Sequence, residues 1–540
     1  MHDSPTTGGP EPAEAISPDV ERYAFTGHGP WVIDPDELTW SRGLAVLRAT
    51  TRAQVPRLTA ARRVPPPGRL AVVSTRLGTA LAGWAIRDRR VGGATSRAGL
   101  SRRLRHAAEA LGPTYIKLGQ IISSGDGLFP AELVDEFKAC RDQVPAASFD
   151  DVRRVVEADL GRPLEQVFAH FEHVPLAAAS IAQVHAATLH SGEDVVVKVQ
   201  RPTIRQQVGS DLKVMSWLAP FLVGRIPVAA LANPPALVEL FAETIAEELD
   251  FRLEAQNMLD VAESFAELGQ RGIVIARPHP ELVTRRVLVM ERLSGFGFDD
   301  LASMQAAGID THEVIRVGMT GFTEGCMVHG IFHGDLHGGN LFVMPDGRIA
   351  LLDFGITARM TPLERNAFLR LMVTGATGDI RGQLAAFRDL GALPPDTDLD
   401  DVIAELRLDQ QPVDPTTLSQ EQLVGELQRV IKALLGMGAR LPKILMLYVK
   451  NLVFLDGAIS TLAPDLDLIG EIARLSGYLA VTHGERLAAE VGASASDFQI
   501  DATSLRRNMG IDVPDGTELT YRDLRARREV IRQRLEKRSH

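Results

Sequence analysis

An α+β fold of two lobes, a small β-containing lobe followed by a mostly helical one, is predicted by three observations. Around residues 175–200 the apolar period changes to two, with HAATLH, the turn SGED and then VVVKVQ; this is the pattern of a strand, a tight turn and a returning strand. From Pro362 to about residue 490 the pattern is helical almost throughout. Between these stretches, the polar run HGDLHGGN is followed by a hairpin-like LFVMPDGRIALLDFG with its turn at Pro345-Asp346-Gly347.

Taken in order, residues 1–40 are rich in Pro, Gly and acids and read as a flexible leader. Residues 41–105 form a basic helical arm, broken at Val64-Pro65-Pro66-Pro67-Gly68. Residues 106–174 form a helical extension; the helix-like Leu100–Leu111 leads into it and ends at the Gly112-Pro113 interruption, and a new helix starts behind that proline. Residues 175–293 make the β-containing N-lobe, with an Ala- and Glu-rich helical insertion over 235–268 and a strand-like 282–291. Residues 294–490 make the helical C-lobe, starting with a helix near 311–329, and 491–540 form a tail.

The chain has 540 residues, enough for a large core and more than one unit. Apolar residues are 45% and charged residues 24%, an ordinary globular composition. Two cysteines, Cys140 and Cys326, make no disulfide framework and lack zinc-ligand spacing, which fits a reducing cytosol. No signal peptide is recognisable, and no run of roughly 18 uninterrupted apolar residues appears. The nearest stretches, Val214–Ala232 and Leu70–Ile86, are broken by Arg225 and Arg76 and read as amphipathic or buried helices.

The net charge of −11 conceals an asymmetry: Ser41–Arg105 carries fifteen arginines against one acid, Asp88, and Tyr521–Arg538 carries eight Lys/Arg against three acids. Such an arm fits anionic lipid headgroups or a solvated helical face equally well. Its apolar stretch LAVVSTRLGTALAGWAI favours a lipid surface over nucleic acid, and no nucleic-acid module is present. The expected placement is cytoplasmic, peripheral at the inner face of a membrane where the arm engages it.

Phosphoryl transfer needs a carboxylate near the attacking oxygen and oxygen ligands that hold Mg²⁺ against phosphates. An H-x-D-x-x-x-x-N loop and a D-F-G beyond the next hairpin supply these in the protein-kinase layout. Here Asp335 stands five residues before Asn340, and Asp353 thirteen beyond it. Asp335 is therefore the candidate base or nucleophile-orienting carboxylate, with Asn340 and Asp353 as candidate metal ligands. A bare polar turn, or a hydrolase metal site on His333, Asp335 and His337, explains neither the DFG nor what lies upstream.

Upstream, Lys198 ends Val195-Val196-Val197-Lys198, where a kinase places the strand lysine that contacts the nucleotide phosphates. Ala177-Ala178-Ala179-Ser180-Ile181-Ala182-Gln183-Val184 fits the phosphate loop G-x-G-x-x-G-x-V with alanine at each glycine position, Ala182 preceding Lys198 by sixteen. Alanine resists positive φ, so this loop is expected to be stiffer than a glycine loop. The nucleotide-binding candidates are thus Ala177, Ala178, Ala179, Ser180, Ala182, Val184 and Lys198, with Met290 and Glu291 at the end of the strand expected to form the adenine hinge. A carboxylate partner for Lys198 comes from Glu247, Glu248, Asp250 or Glu254; Asp250 and Glu254, at i and i+4, share a helical face.

Lys117-Leu118-Gly119-Gln120, with the alanine-rich loop, HGDLHGGN and DFG, resembles the UbiB/AarF/ADCK family of atypical kinases, and LGPTYIKLGQIISSGDGLFPAELVDEFKACRDQVP is similar to its N-terminal signature. The resemblance runs from about residue 100 to 470. It implies a bilobal protein-kinase-like fold whose K-x-G-Q helix packs across the nucleotide site, giving Lys117 and Gln120 a gating role. It also implies that the family's E-x-D pair is Glu248 and Asp250, with Glu248 as partner of Lys198. ATP or ADP and Mg²⁺ are the implied cofactors, and an anionic or isoprenoid lipid an implied partner in quinone or lipid metabolism. The sequence departs from the family at Gly338, where proline is usual, and at Ala182, where many members have glycine. No A-P-E element follows the DFG, which argues against protein substrates. Two other functions stay open: a small-molecule kinase of the aminoglycoside or choline kinase type, whose loops also read HGDLH and N, and a nucleotide-sensing lipid-binding scaffold with little turnover.

Overall fold

The computed structural model describes residues 16–60, 65–123, 130–139, 145–222, 234–409, 429–430, 433–434, 437–439, 442–500, 503 and 519–536. Cys140, Val64, residues 1–15 of the leader, 124–129 and 140–144 of the family-like signature, 223–232 of the apolar stretch and most of the tail's first half lie outside the described residues.

The N-terminal helices are α1 (Leu44–Leu58), α2 (Pro67–Arg87), α3 (Gly93–Leu111), α4 (Pro113–Ser123) and α5 (Ala131–Lys138). Gly112, at φ +99°, ends α3, and Pro113 opens α4, where its missing N–H costs nothing. Next come α6 (Phe149–Leu160), α7 (Leu164–Val167), β1 (Phe168–Phe171), β2 (Ala177–Ala178), β3 (Ala182–Leu189), β4 (Asp194–Gln200), α8 (Ile204–Leu222), α9 (Pro234–Glu248), α10 (Phe251–Glu267), β5 (Ile273–Ile275), β6 (Pro278–Val283), β7 (Val287–Glu291) and β8 (Phe296–Gly297). The main sheet runs β1-β3-β4-β7-β6, with β2 on β3. On β4 the period of two separates the faces: Val195, Val197 and Val199 pack on Val152, Val155 and Val156 of α6, while Lys198 goes to the other side.

The helical lobe follows, with α11 (Leu301–Ala306), α12 (Thr311–Glu324), the strands β9 (Ile331–His333), β10 (Leu341–Val343), β11 (Ile349–Leu351) and β12 (Thr357–Arg359), and α13 (Pro362–Thr377) onward. β10 and β11 pair as the expected hairpin, its turn closed by Gly347 at φ +84°. The bilobal kinase-like α+β architecture is the one predicted.

One reading is corrected and two are refined. Residues 16–40 are a strap, not a flexible leader. Tyr23, Phe25, Leu38 and Trp40 are buried, the indoles of Trp31 and Trp40 donate to Pro278 and His279 carbonyls, and Asp19 pairs with the fully buried Arg277. Polar composition suggested disorder, yet four spaced aromatics suffice to anchor the segment. The arm's charge is also partly matched within the molecule: Arg52, Arg69, Arg97, Arg102 and Arg105 pair with Glu247, Asp211, Glu132, Glu136 and Glu109. Finally, the helix Lys443–Leu462 is, among the described residues, long and apolar enough to cross a membrane. Lys443, Lys450 and Asp456 interrupt it in sequence, and Ile444, Leu447, Asn451 and Ile459 are buried in the C-lobe while Leu452 and Val453 are exposed, so one face of it packs on the core.

Candidate functional site

The alanine-rich loop is a tight β-turn. Ala177 stands opposite Val184 and Ala178 opposite Gln183, and the Ala179 N–H donates to the Ala182 carbonyl at 2.9 Å. None of its alanines takes a positive φ, in keeping with the cost of that region for a Cβ. Sequence reading missed what pins it. The Arg201 side chain donates to the carbonyls of Ala179 (2.9 Å) and Pro145 (2.8 Å), its N–H to Ile181, and the buried Gln183 accepts from the Ala147 N–H. The loop is thereby tied to the segment leaving the K-x-G-Q extension. Ser180 is buried within the turn.

Lys198 reaches into the space between the lobes, where its ammonium lies 2.6 Å from Glu254 and 3.0 Å from Asp353. Its carboxylate partner is therefore Glu254, not Glu248. The helical insertion is two helices, and Asp250 is the N-cap of the second, accepting from Arg252. Asp250 and Glu254 thus do not share a helical face; the break at Asp250 turns Glu254 to Lys198 and leaves Glu248, on α9, to another lysine. Burial pushes the Glu254 carboxyl up to about 7, Lys198 opposing and the Asp353 charge adding to it. Burial works against ionised Asp353 too, but Lys198 and Lys117 hold it below the usual carboxylate range.

The catalytic loop is held from three sides. His333, neutral because burial lowers its imidazole to about 4, accepts the Asp335 N–H on Nδ1 at 3.1 Å. Its Nε2–H then donates to the Asp353 carbonyl, which joins the loop to the DFG. Asn340 donates to the Asp335 carbonyl at 3.0 Å. Asn451 accepts the Leu336 N–H and donates to the His333 carbonyl. A Cβ on Gly334 would come within 2.8 Å of Ile356, so close strand approach demands glycine there, whereas a Cβ on Gly338 meets nothing within 4 Å. The family's proline position is thus open space in this chain.

Two lysines converge on Asp335. Lys450, from the helix Lys443–Leu462, ion-pairs with Oδ1, and Lys117, from α4, lies 3.9 Å from Oδ2 while pairing with Glu248 at 3.0 Å. Burial opposes the charge on Asp335, but Lys450 and Lys117 outweigh it and hold the carboxyl well below its ordinary value. Lys450 and Asn451 were not found from the sequence; over a hundred residues separate them from the loop, and a lysine in an apolar helical pattern gives no local signal. Gln120 stands one residue beyond Gly119 on the same helix, its carbonyl accepting from Ser123.

Glu291 does not offer its amide to a ligand. Its N–H donates to the Arg277 carbonyl at 2.9 Å, and its carboxylate accepts from Thr26 and Arg277. β7 is paired on both sides there, Met290 standing opposite Val196 and Pro278, so the sheet consumes the backbone groups the hinge reading required. Met290 keeps a half-buried side chain.

The donor chemistry fits a hard divalent cation. Asn340 spends its amide nitrogen on the loop and retains Oδ1; Asp353 accepts from Gly355 and Lys198 and retains further lone pairs. Among the described residues no three His, Cys, Asp or Glu side chains are grouped to hold a metal alone. Such an ion would share its coordination with phosphates and water, as Mg²⁺ does in phosphoryl-transfer sites.

Comparison with known proteins identifies the family. Residues 139–385 match the family described as ABC1 atypical kinase-like domain. The uncharacterized protein Rv0647c of Mycobacterium tuberculosis is 38% identical over 379 residues, covering 68% of this chain and 76% of that protein. An uncharacterized aarF domain-containing protein kinase of Arabidopsis thaliana is 32% identical over 394 residues (68% and 72% covered), and a probable protein kinase UbiB of Xylella fastidiosa 33% over 377 (68% and 67%). The solved complex of Mycobacterium tuberculosis Rv3197 with erythromycin is 21% identical, covers 64% of this chain and 91% of its own, and gives a TM-score of 0.36. With relatives this similar over most of their length, and with the lysines and carboxylates of a kinase site brought together, the chain belongs to the ABC1 (UbiB/AarF) family of atypical kinases.

Proposed function

We propose that this protein binds ATP with Mg²⁺ and transfers or hydrolyses its terminal phosphate, acting at a membrane surface in isoprenoid quinone or lipid metabolism. The observation that carries the chemical part is the convergence of Lys198, Glu254 and Asp353 beside Asp335 and Asn340, drawn from four separate segments. Lys198 would hold the α/β-phosphates, and Asn340 and Asp353 the metal, which supplies charge neutralisation at the phosphates. In hydrolysis, the water oxygen bonds to the γ-phosphorus as the bond to the β–γ bridging oxygen breaks; ADP leaves with that electron pair, and the water proton passes to the transferred phosphate or through Asp335. Because Asp335 is held strongly ionised by two ammoniums, its contribution is to orient the nucleophile rather than to act as a strong base. The membrane and quinone parts rest on relatives named UbiB and on the arginine-rich helices, whose charges are partly matched internally.

The test is nucleotide hydrolysis by the purified chain with Mg²⁺, with and without anionic liposomes, beside Asp353→Asn. Turnover that rises with liposomes and disappears in the variant supports the reading. Nucleotide binding without Asp353-dependent turnover under either condition would retire it in favour of a nucleotide-sensing scaffold.

A further inference from the structure

The helical lobe holds a partly open cavity of about 340 Å³ between α12, α13 and the helices Lys443–Leu462 and Leu468–Thr482. That volume falls in the range of small-ligand sites. Met319, Met327, Met372 and Leu475 contribute to its lining, and three unbranched thioethers give an adaptable wall. A π-helical turn, Gly325–His329, interrupts the end of α12 and supplies Cys326 and Met327 to the same wall; such turns cluster at functional sites.

The polar groups that face it are nearly all spent. Thr323 donates to the Met319 carbonyl at 2.7 Å, and Ser476 to Ala473 at 2.9 Å. Asp456 is already matched by Arg528 at 2.7 Å, and among the described residues that line the cavity there is no lysine or arginine to take a carboxylate or phosphate head. The Tyr448 hydroxyl, by contrast, takes no hydrogen bond from any described residue, and its ring is fixed by stacking on Phe322 (5.6 Å) and by an edge contact with Phe368 (5.0 Å). Leu452, 42% exposed, joins the lining to solvent.

We propose that this cavity is a binding site for a neutral amphiphile with a single oxygen, of which a medium-length alkyl alcohol is the simplest member. Its chain fills the methionine-lined space, and its oxygen hydrogen-bonds the Tyr448 hydroxyl. The site has a line to the chemistry. Tyr448 stands two residues before Lys450, which grips Asp335, and three before Asn451, which clamps the catalytic loop. Phe322, stacked on Tyr448, also packs edge-on against Phe332, the residue preceding His333. An occupant would therefore bias the loop through the helix that carries both clamps. This coupling rests on the phosphotransfer reading; the binding itself does not.

The experiment uses the purified full chain with decanol, decanoate and MgADP as separate probes, read by native mass spectrometry and thermal shift. One decanol per chain is expected, with decanoate binding at least tenfold more weakly. Met372→Trp fills the cavity and abolishes decanol binding, with Leu475→Phe as a milder filler should the first variant not fold. Tyr448→Phe keeps the shape and weakens binding roughly fivefold, the worth of one neutral hydrogen bond. Equal binding of decanol and decanoate, undiminished binding to both filled variants, or no saturable binding to the parent chain would overturn the proposal. MgADP stabilisation in the same samples reports on the kinase reading separately: its absence beside intact decanol binding sinks that reading and leaves the cavity standing.

Discussion

Around Lys198, one ammonium serves two carboxylates, Glu254 and Asp353; around Asp335, two ammoniums, Lys117 and Lys450, serve two carboxylates, Asp335 and Glu248. The residue types are the same, and their surroundings separate the roles. In the first cluster Lys198 is the ammonium in contact with both. Glu254, with a side chain only 4% exposed, is pushed by burial up to about 7, while Asp353, 43% exposed, is held below the usual carboxylate range by Lys198 and the more distant Lys117. In the second cluster Lys450 and Lys117 keep Asp335 charged and its basicity low, while burial raises the Glu248 carboxyl against Lys117. The two clusters thus differ in which carboxylate is raised by burial and which is held ionised, and under the proposed function the first would face the nucleotide and the second the acceptor.

The most severe way to break the comparison is to remove the exposed charge of the first cluster. Asp353→Asn should lower hydrolysis by about 10²–10³-fold, the loss seen when one charge-stabilising group goes, while the folded state persists because Asn retains the Gly355 contact. Steady-state turnover against Mg²⁺ concentration measures it; a variant within threefold of the parent would show that Asp353 holds no catalytic ion.

Removing one cation from the second cluster comes next. Lys117→Met leaves Glu248 buried beside Asp335 with no ammonium on it, and should cost about 3 kcal/mol of stability by urea unfolding. Adding Glu248→Gln should return most of that loss, since the second change removes the orphaned charge. If the single and double variants unfold alike, the buried pair is not what the lysine stabilises.

The first cluster predicts a pH dependence with a definite sign. A folded carboxyl raised to about 7 from 4.5 binds a proton that the unfolded chain has released, so stability is fully present below the unfolded value and is lost as pH rises through about 7. The span corresponds to roughly 3 kcal/mol. Glu254→Gln should flatten the fall in melting temperature between pH 5 and 8, and an unchanged slope would place the proton elsewhere.

How much of this was legible in the sequence follows from how local each signal is. HGDLHGGN, DFG, the alanine loop and the β3–β4 hairpin each occupy one short stretch, where turn chemistry and period-two alternation act between neighbours, and each stands where it was expected. The lysine partner was misassigned because a helix break at Asp250 redirects every side chain beyond it, and spacing arguments assume an unbroken helix. The strap was missed because four aromatics disappear in a polar average. Lys450, Asn451 and Arg277 were invisible because their partners lie 115, 118 and 258 residues away, at Asp335, His333 and Asp19.

Lys450 gives the smallest effect and the sharpest distinction. If it merely fills space in an apolar helix, Lys450→Met should be close to neutral for turnover or should lower it equally at every pH. If it keeps Asp335 ionised, removing it raises the Asp335 carboxyl, which now answers to burial with Lys117 alone opposing it. The acid limb of the pH–turnover profile should then move upward, with turnover at neutral pH reduced about tenfold, a change of ~1.4 kcal/mol in the barrier. Lys450→Arg, which restores the charge on a longer and planar head, should return the limb toward its original position without returning the full rate, because the guanidinium cannot reproduce the point contact on Oδ1. A limb that stays in place in Lys450→Met would assign the low basicity of Asp335 to Lys117, and with it the charge balance of the acceptor side to the K-x-G-Q helix alone.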